Sequence, residues 1–414
     1  MPSLLEKTGL RELPSAGFWE RAVLGRLSLL KEGELTVETS RGIQRFGQPV
    51  PDGLKARLKV NSHEAWEQMA LGGSLGAAEG YMAGWWETED LTSLIRLFIR
   101  NQGALESLES GLARWGQAAA RLYHLFRANT RSGSKRNISA HYDLGNDFYQ
   151  LMLDPTMSYS SAYFEPGDSL EKASIRKVDR ILGLLGLEPG QNLLEIGTGW
   201  GFLSRRAASA FGARVTTTTL SKEQHAYAVK KLREEGLEGR VTQLLTDYRD
   251  LSGTFDHLVS VEMIEAVGAE YYGTFFKKCA GLLKAGGRLA LQAITIEEPF
   301  YESARKEADF IKRYVFPGSN IPSVSALVGA ASPAGLIPTH LEEWGIHYAT
   351  TLAAWRDNLR PHKDWVVKTY GERFWRLWDY YLGYCEGGFR EGHIRVGHLV
   401  FEKSKNGPEG GDRS

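Results

Sequence analysis

The residues most ready for chemistry in this 414-residue chain form a glycine-rich turn, Glu195-Ile196-Gly197-Thr198-Gly199-Trp200-Gly201, set between an apolar run and a helical pattern. Glycines let a backbone approach a ligand closely, and the helix that follows offers free amides at its N-terminus. Nicotinamide, flavin and S-adenosylmethionine (SAM) proteins all use such turns, so the neighbouring residues must decide. Two details disfavour NAD: the glycines at 197, 199 and 201 lack the G-x-G-x-x-G spacing, and the second strand ends in Thr217-Thr218-Thr219, where a dinucleotide site carries an acid. Glu195 can instead face the ammonium group of SAM, and Asp247-Tyr248, after the strand Val241 to Thr246, sets a polar and an aromatic group where an adenine would lie. Alone, Tyr248 is an ordinary loop aromatic; its place after a strand end favours the adenine reading. SAM is the expected cofactor, with Gly197, Thr198, Gly199, Trp200 and Gly201 around it.

These residues need an α/β scaffold. From Leu170 a helix leads to a strand (Asn192 to Ile196), the turn, a helix (Phe202 to Phe211), a strand (Arg214 to Thr219) and a helix (Lys222 to Glu235). Strands at Val241 to Thr246 and His257 to Val261, a helix (Tyr271 to Leu283) and a strand (Arg288 to Ala293) continue the alternation. The pattern predicts a doubly wound, Rossmann-like, mostly parallel sheet with its site at the carboxyl ends of the strands. From Ile296 to Phe401 an aromatic, partly helical insertion is expected, closed by strands near His347 and Leu399.

Before this domain, Gly33 to Phe46 alternates apolar and polar residues about Ser40-Arg41-Gly42, a hairpin signal. From His63 to Asn101 helical spacing is broken by Gly72, Gly73, Gly76, Gly80 and Gly84, so several short helices are expected. The resulting division is a small α+β N-terminal domain at 1–125, suited to lipid, membrane or homodimer contacts, a catalytic domain at 126–404, and a disordered tail at 405–414. Between Gly111 and Tyr142, Arg114, Arg121, Arg127, Arg131, Lys135 and Arg136 occur without an acid and with aromatic residues interleaved. An amphipathic basic helix here either packs its aromatic stripe as a linker or meets anionic lipid.

Composition narrows the classes. Fifty basic residues balance fifty acidic ones, so no global field draws the chain to nucleic acid. Cys279 and Cys385 stand too far apart to suggest a disulfide framework or a zinc site, and no metal is expected. No run is long enough to span a bilayer, and Met1 to Lys31 lacks a signal-like apolar core. A cytoplasmic protein is expected, peripheral at the inner membrane surface.

Several ordered blocks add to the turn: His141-Tyr142-Asp143-Leu144-Gly145-Asn146, Met157-Ser158-Tyr159-Ser160-Ser161-Ala162-Tyr163-Phe164, Thr219-Leu220-Ser221 with Gln224, and Asp247-Tyr248-Arg249-Asp250. Val259-Ser260-Val261-Glu262-Met263-Ile264-Glu265, Tyr314 to Gly318 and Tyr384-Cys385-Glu386-Gly387-Gly388-Phe389-Arg390 complete the series. Together they resemble the cyclopropane-fatty-acyl-phospholipid synthases and mycolic acid cyclopropane synthases over about residues 136 to 402. The resemblance implies that Tyr159, Ser160, Gly197, Gly199, Thr219, Leu220, Gln224 and Tyr248 surround SAM. It also implies a bicarbonate base held by Glu265, Tyr348 and the backbone of Ile294. Ser161 stands where many members have Cys and Gln292 where many have His; both can still hydrogen-bond to an anion. The runs Glu262 to Ala266 and Leu291 to Thr295 look more like the branch that forms methylene or methyl products, such as tuberculostearic acid methyltransferases.

The implied reaction carries the SAM methyl to a cis double bond of a phospholipid acyl chain at the membrane surface. An isolated alkene is a weak nucleophile, so a sulfonium methyl and a dry pocket suit it, and aromatic faces steady the resulting cation. Proton loss from the transferred methyl closes a cyclopropane; loss after a hydride shift leaves an exocyclic methylene. Glu265 would orient the base, His141 either positions the ion or packs as an ordinary histidine, and Cys385 lines the pocket or is simply a buried thiol. Two other classes remain open: a lipid-binding protein that has lost catalysis, and a nucleic-acid methyltransferase. The second lacks an Asn/Asp-Pro-Pro-Tyr motif.

Overall fold

The computed structural model describes residues 17–106, 145–307 and 309–405. His141, the basic stretch Arg114 to Arg136 and the tail beyond 405 lie outside the described residues. Contacts divide the chain into two compact units.

The first unit joins the described N-terminal residues to two later segments, Glu307–Val315 and Arg360–His393. Its sheet has the order β2-β1-β3-β4, with β1 at Gly33–Thr39, β2 at Gly42–Gln48, β3 at Lys55–Val60 and β4 at Trp86–Glu87. The expected hairpin is present, antiparallel from Gly33↔Gln48 to Thr39↔Gly42. The several helices expected here are present: besides Leu91–Arg100, Glu64–Met82 is two helical segments joined by a kink at Gly73, whose φ of 55° leaves the helical region. The other glycines within it keep helical geometry, because burial of Trp66, Ala70, Ala78 and Tyr81 outweighs their weak propensity. The helix Leu91–Arg100 lies against the helix Glu372–Arg390, where Cβ atoms on Gly383 and Gly387 would meet Leu91 at 3.0 Å and Ile95 at 2.7 Å. Thr92 Oγ1 donates to Glu386 Oε2, and Arg96 and Arg100 both pair with Glu391. The catalytic stretch expected to be continuous over 126–404 is therefore interrupted: the Tyr384 to Arg390 block folds with the N-terminal elements, and Gly387 serves close helix packing.

The second unit holds a seven-stranded sheet of order β10-β11-β9-β8-β5-β6-β7. Its strands are β5 (Asn192–Ile196), β6 (Arg214–Thr218), β7 (Val241–Leu244), β8 (Phe255–Val261), β9 (Leu283–Ile296), β10 (Leu336–Glu343) and β11 (Ile394–Lys403). From β7 to β9 the neighbours are parallel, and β11 and β10 add antiparallel strands at the edge. Strand residues alternate between two cores: Leu194, Leu258 and Leu289 join Phe275, Phe276 and Cys279 in one, while Leu193, Val259 and Ala290 join Val178, Ile181 and Leu203 in the other. A period of two thus splits the sheet between two helical layers, the doubly wound arrangement. Ser169 and Ser221 start two of these helices by accepting hydrogen bonds from Lys172 N and Gln224 N.

The strand expected near His347 lies earlier, at β10, and His347 belongs to the helix Gly345–Leu359. Tyr348, Leu352, Trp355 and Leu359 recur every three or four residues and are all buried, so the apolar period is helical there.

Candidate active site

Chain order reverses direction at β5: the chain runs outward through β6 and β7, then crosses back to β8 and β9. This switch point opens a crevice at the strand carboxyl ends, and both candidate motifs lie there. The glycine turn follows β5, and Glu262-Met263-Ile264-Glu265 follows β8.

The turn needs its glycines. Gly197, Gly199 and Gly201 have φ of 100°, 53° and 83°, and a Cβ on Gly201 would come within 2.8 Å of Ala228. A Cβ on Gly199 would meet nothing within 4 Å, so that face is open to a ligand. Thr198 and Thr217 share a hydroxyl contact of 2.7 Å, and Thr217 Oγ1 donates to Glu195 Oε2 at 2.6 Å. Burial pushes Glu195 up to about 8 despite Thr217 and Lys177, as fits a carboxylate that is neutral alone and ionises when a cation arrives. Thr219 Oγ1 donates to Gln224 Oε1, which ties the end of β6 to the next helix, with Leu220 between them. The Asp247 carboxylate pairs with Arg249, whose guanidinium lies 5.7 Å from the Tyr248 ring.

From this turn an aromatic row leads inward. Trp200 donates from Nε1 to Asn146 and lies 4.8 Å from Tyr149; Tyr149 is 5.4 Å from Tyr159, Tyr159 5.2 Å from Trp355, and Trp355 6.1 Å from Tyr348, between ring centroids. Trp355 is fully buried and its Nε1 has no hydrogen-bond partner. Such a row can attract a cation.

The row ends at two carboxylates, Glu265 buried and Glu262 partly buried. Glu262 Oε1 accepts from Ser161 N at 2.9 Å and Gln292 Nε2 at 2.7 Å, and Glu262 Oε2 accepts from Tyr348 Oη at 2.7 Å. Gln292 Nε2 also donates to Ser161 O at 3.2 Å, and its Oε1 lies 3.2 Å from His398 Nε2, so its amide N–H side faces Glu262. Glu265 Oε1 accepts from Ile294 N at 2.5 Å, while Glu265 Oε2 is buried without a partner. Burial raises Glu262, opposed by Lys177 and its three donors. Burial and the Glu262 charge push Glu265 up to about 8. Two coupled carboxylates resist double ionisation, and Glu262, with three donors against one for Glu265, is the better placed of the two to hold the charge. Lys177, buried and itself pushed down to about 8 by burial, donates to Ser160 Oγ at 2.7 Å.

The expected bicarbonate does not fit these residues. Tyr348 and the Gln292 amide serve Glu262, the Ile294 amide serves Glu265 and the Ser161 hydroxyl serves Ala162 O, so a second anion would meet the Glu262 carboxylate with its expected donors engaged.

Cys385 lies in the helix Glu372–Arg390 of the first unit, where burial pushes its thiol up and disfavours a nucleophilic thiolate. Sequence reasoning passed over Glu262 as part of a motif, although an acid directly after a strand end is a recognisable signal. It also passed over Lys177, whose position between Ala173 and Ile181 on a buried helix face was equally visible. Glu262 and Met157 are the two non-glycine residues with positive φ among the described residues, at 48° and 56°. Each costs roughly 1–2 kcal/mol, a strain typical of functional positions.

A doubly wound sheet with this turn at its switch point is that of a SAM-dependent methyltransferase. The profile of the family described as mycolic acid cyclopropane synthetase matches residues 129–399, and the chain belongs to that family. It is 37% identical over 335 residues to the tuberculostearic acid methyltransferase of Mycobacterium tuberculosis, covering 78% of each chain. It is 35% identical over 371 residues to the cyclopropane-fatty-acyl-phospholipid synthase of Escherichia coli, covering 87% of this chain and 91% of that one. The solved structure of mycolic acid cyclopropane synthase CmaA1 with SAH and CTAB superposes with a TM-score of 0.61 at 33% identity, covering 65% of this chain and 98% of that one. SAM is the cofactor, and the open face at Gly199 and the buried carboxyl of Glu195 suit it.

Proposed function

We propose that this enzyme carries the methyl of SAM to the cis double bond of an unsaturated phospholipid acyl chain and closes a cyclopropane ring by removing a proton. The observation that carries the reading is the aromatic row from Trp200 to Tyr348, which joins the cofactor turn to an acid pair. When bound, SAM supplies a methyl electrophile strong enough for an isolated alkene. Trp355, Tyr159 and Tyr149 then face the cation and exclude water, and the acid pair receives the proton. Gln292 keeps a side-chain hydrogen bond toward Glu262, as the Ser161 backbone amide does, which argues against a chain that has lost catalysis. The lipid would be reached from a membrane surface, since among the described residues no helix is long and apolar enough to cross one.

A second reading, an exocyclic methylene or methyl branch, is favoured by the 37% identity to the tuberculostearic acid methyltransferase. Both products add one CH₂. Vesicles of cis-monounsaturated phospholipid incubated with protein and SAM, then examined by mass spectrometry, should show that gain on the acyl chain. A saturated ring supports the first reading and a surviving alkene the second; methyl transfer to the head group alone would contradict both.

A further inference from the structure

The acid pair permits an inference that rests on the reading above and concerns which group takes the proton. Three donors from three elements converge on one protein carboxylate: Ser161 N from the loop before the helix Leu170–Leu185, Gln292 Nε2 from β9 and Tyr348 Oη from the helix Gly345–Leu359. Ser161 and Gln292 stand where the family resemblance implies Cys and His; the Ser161 hydroxyl turns to Ala162 O, while two side-chain donors expected around a bicarbonate ion, Gln292 and Tyr348, close on Glu262 instead. We propose that the Glu262 carboxylate is the resident base of this enzyme, taking the place expected for a small anion, so that the reaction needs no bicarbonate.

A carboxylate and a bicarbonate ion present the same planar pair of oxygens, so the donors suited to one suit the other. Delivering those oxygens from the chain requires the side chain to turn back immediately after β8, and the left-handed backbone of Glu262 does this. Glu265, held by the Ile294 amide and carrying a free Oε2, completes the pair. In the step, a C–H bond of the transferred methyl breaks and its proton goes to a Glu262 oxygen. The electron pair of that bond closes onto the cationic carbon as the third ring bond, or as the double bond of a methylene if a hydride has shifted first. No oxidant or reductant is consumed, and the proton leaves Glu262 for water between turnovers.

The test uses the full chain in buffers stripped of carbon dioxide, with and without added bicarbonate. Wild type should turn over at the same rate in both, and Glu262→Gln should lose at least about 100-fold in rate, within the range for a lost general base, while binding SAM nearly as wild type does. Glu262→Gly relaxes the positive-φ backbone and opens the anion's place, so bicarbonate should restore at least about tenfold of its lost rate. A second arm needs no turnover: ¹³C-labelled bicarbonate observed by NMR should bind Glu262→Gly and not wild type. A bicarbonate-dependent wild type, bound ion in wild type, or an active Glu262→Gln would overturn the proposal. If wild type transfers no carbon to any lipid, the functional reading and the base role fall together. The NMR arm then still reports whether Glu262 fills the anion's place.

Discussion

The cofactor turn and the acid pair sit at the ends of adjacent parallel strands, β5 and β8, yet they are built in opposite ways. The turn is local: seven consecutive residues, three glycines at positive φ and one strand end set its shape. The acid pair is assembled at long range, with donors from residues 161, 292, 294 and 348 meeting carboxylates at 262 and 265. Backbone shape makes the first, and side-chain hydrogen bonds between distant elements make the second. Damage to the turn should therefore abolish SAM binding, whereas damage to the pair should spare binding and slow chemistry.

Gly201→Val should give the largest effect. Its new side chain would collide with Ala228 at a backbone angle that L residues avoid, and SAM affinity by calorimetry should fall at least about 100-fold. Near-normal affinity would show that the turn tolerates what its geometry forbids.

Tyr348→Phe removes one donor from Glu262 and should lower kcat roughly 10- to 100-fold, the usual worth of a hydrogen bond to a charged group, with SAM affinity unchanged. That hydrogen bond lowers the pKa of Glu262, so its loss should shift the acidic limb of the rate profile toward higher pH. A loss of SAM affinity instead would merge the two regions into one.

Glu195 links the cofactor to pH. It is pushed up to about 8 in the free protein and must ionise to face the SAM ammonium, so binding at pH 7 should release a proton, and affinity should rise roughly five- to tenfold between pH 7 and 8.5. The same raised value means that its contribution to stability is complete below the ordinary carboxylate range and is lost as pH rises through about 8. Calorimetry in buffers of different ionisation enthalpy counts the proton.

Cys385→Ala should have the smallest effect, a rate within about twofold of wild type with a modest loss of stability, as for trimming a partly buried thiol packed in the first unit. A hundredfold loss of rate would return Cys385 to the mechanism.

The contrast also explains what could be read from the chain. β5, the turn and the alternation through β9 were legible because apolar runs, glycines and capping serines act over a few residues. Glu265, Tyr348 and Ile294 came from the resemblance, and the structure holds them near one another but points Tyr348 at Glu262. Spacing could not show that Gln292 would turn its amide toward Glu262, because its other partners, Ser161 O and His398, lie more than a hundred residues away in the chain. Nor could it show that the Tyr384 to Arg390 block folds with the N-terminal elements, because Gly387 reads alike in a pocket and under Ile95.

The central claim is that a proton leaves the transferred methyl. SAM with a fully deuterated methyl, incubated with the protein and cis-monounsaturated phospholipid, tests it in one mass spectrum. The account predicts an acyl chain carrying two of the three deuterons, whether ring or methylene. A product that retains all three would contradict it.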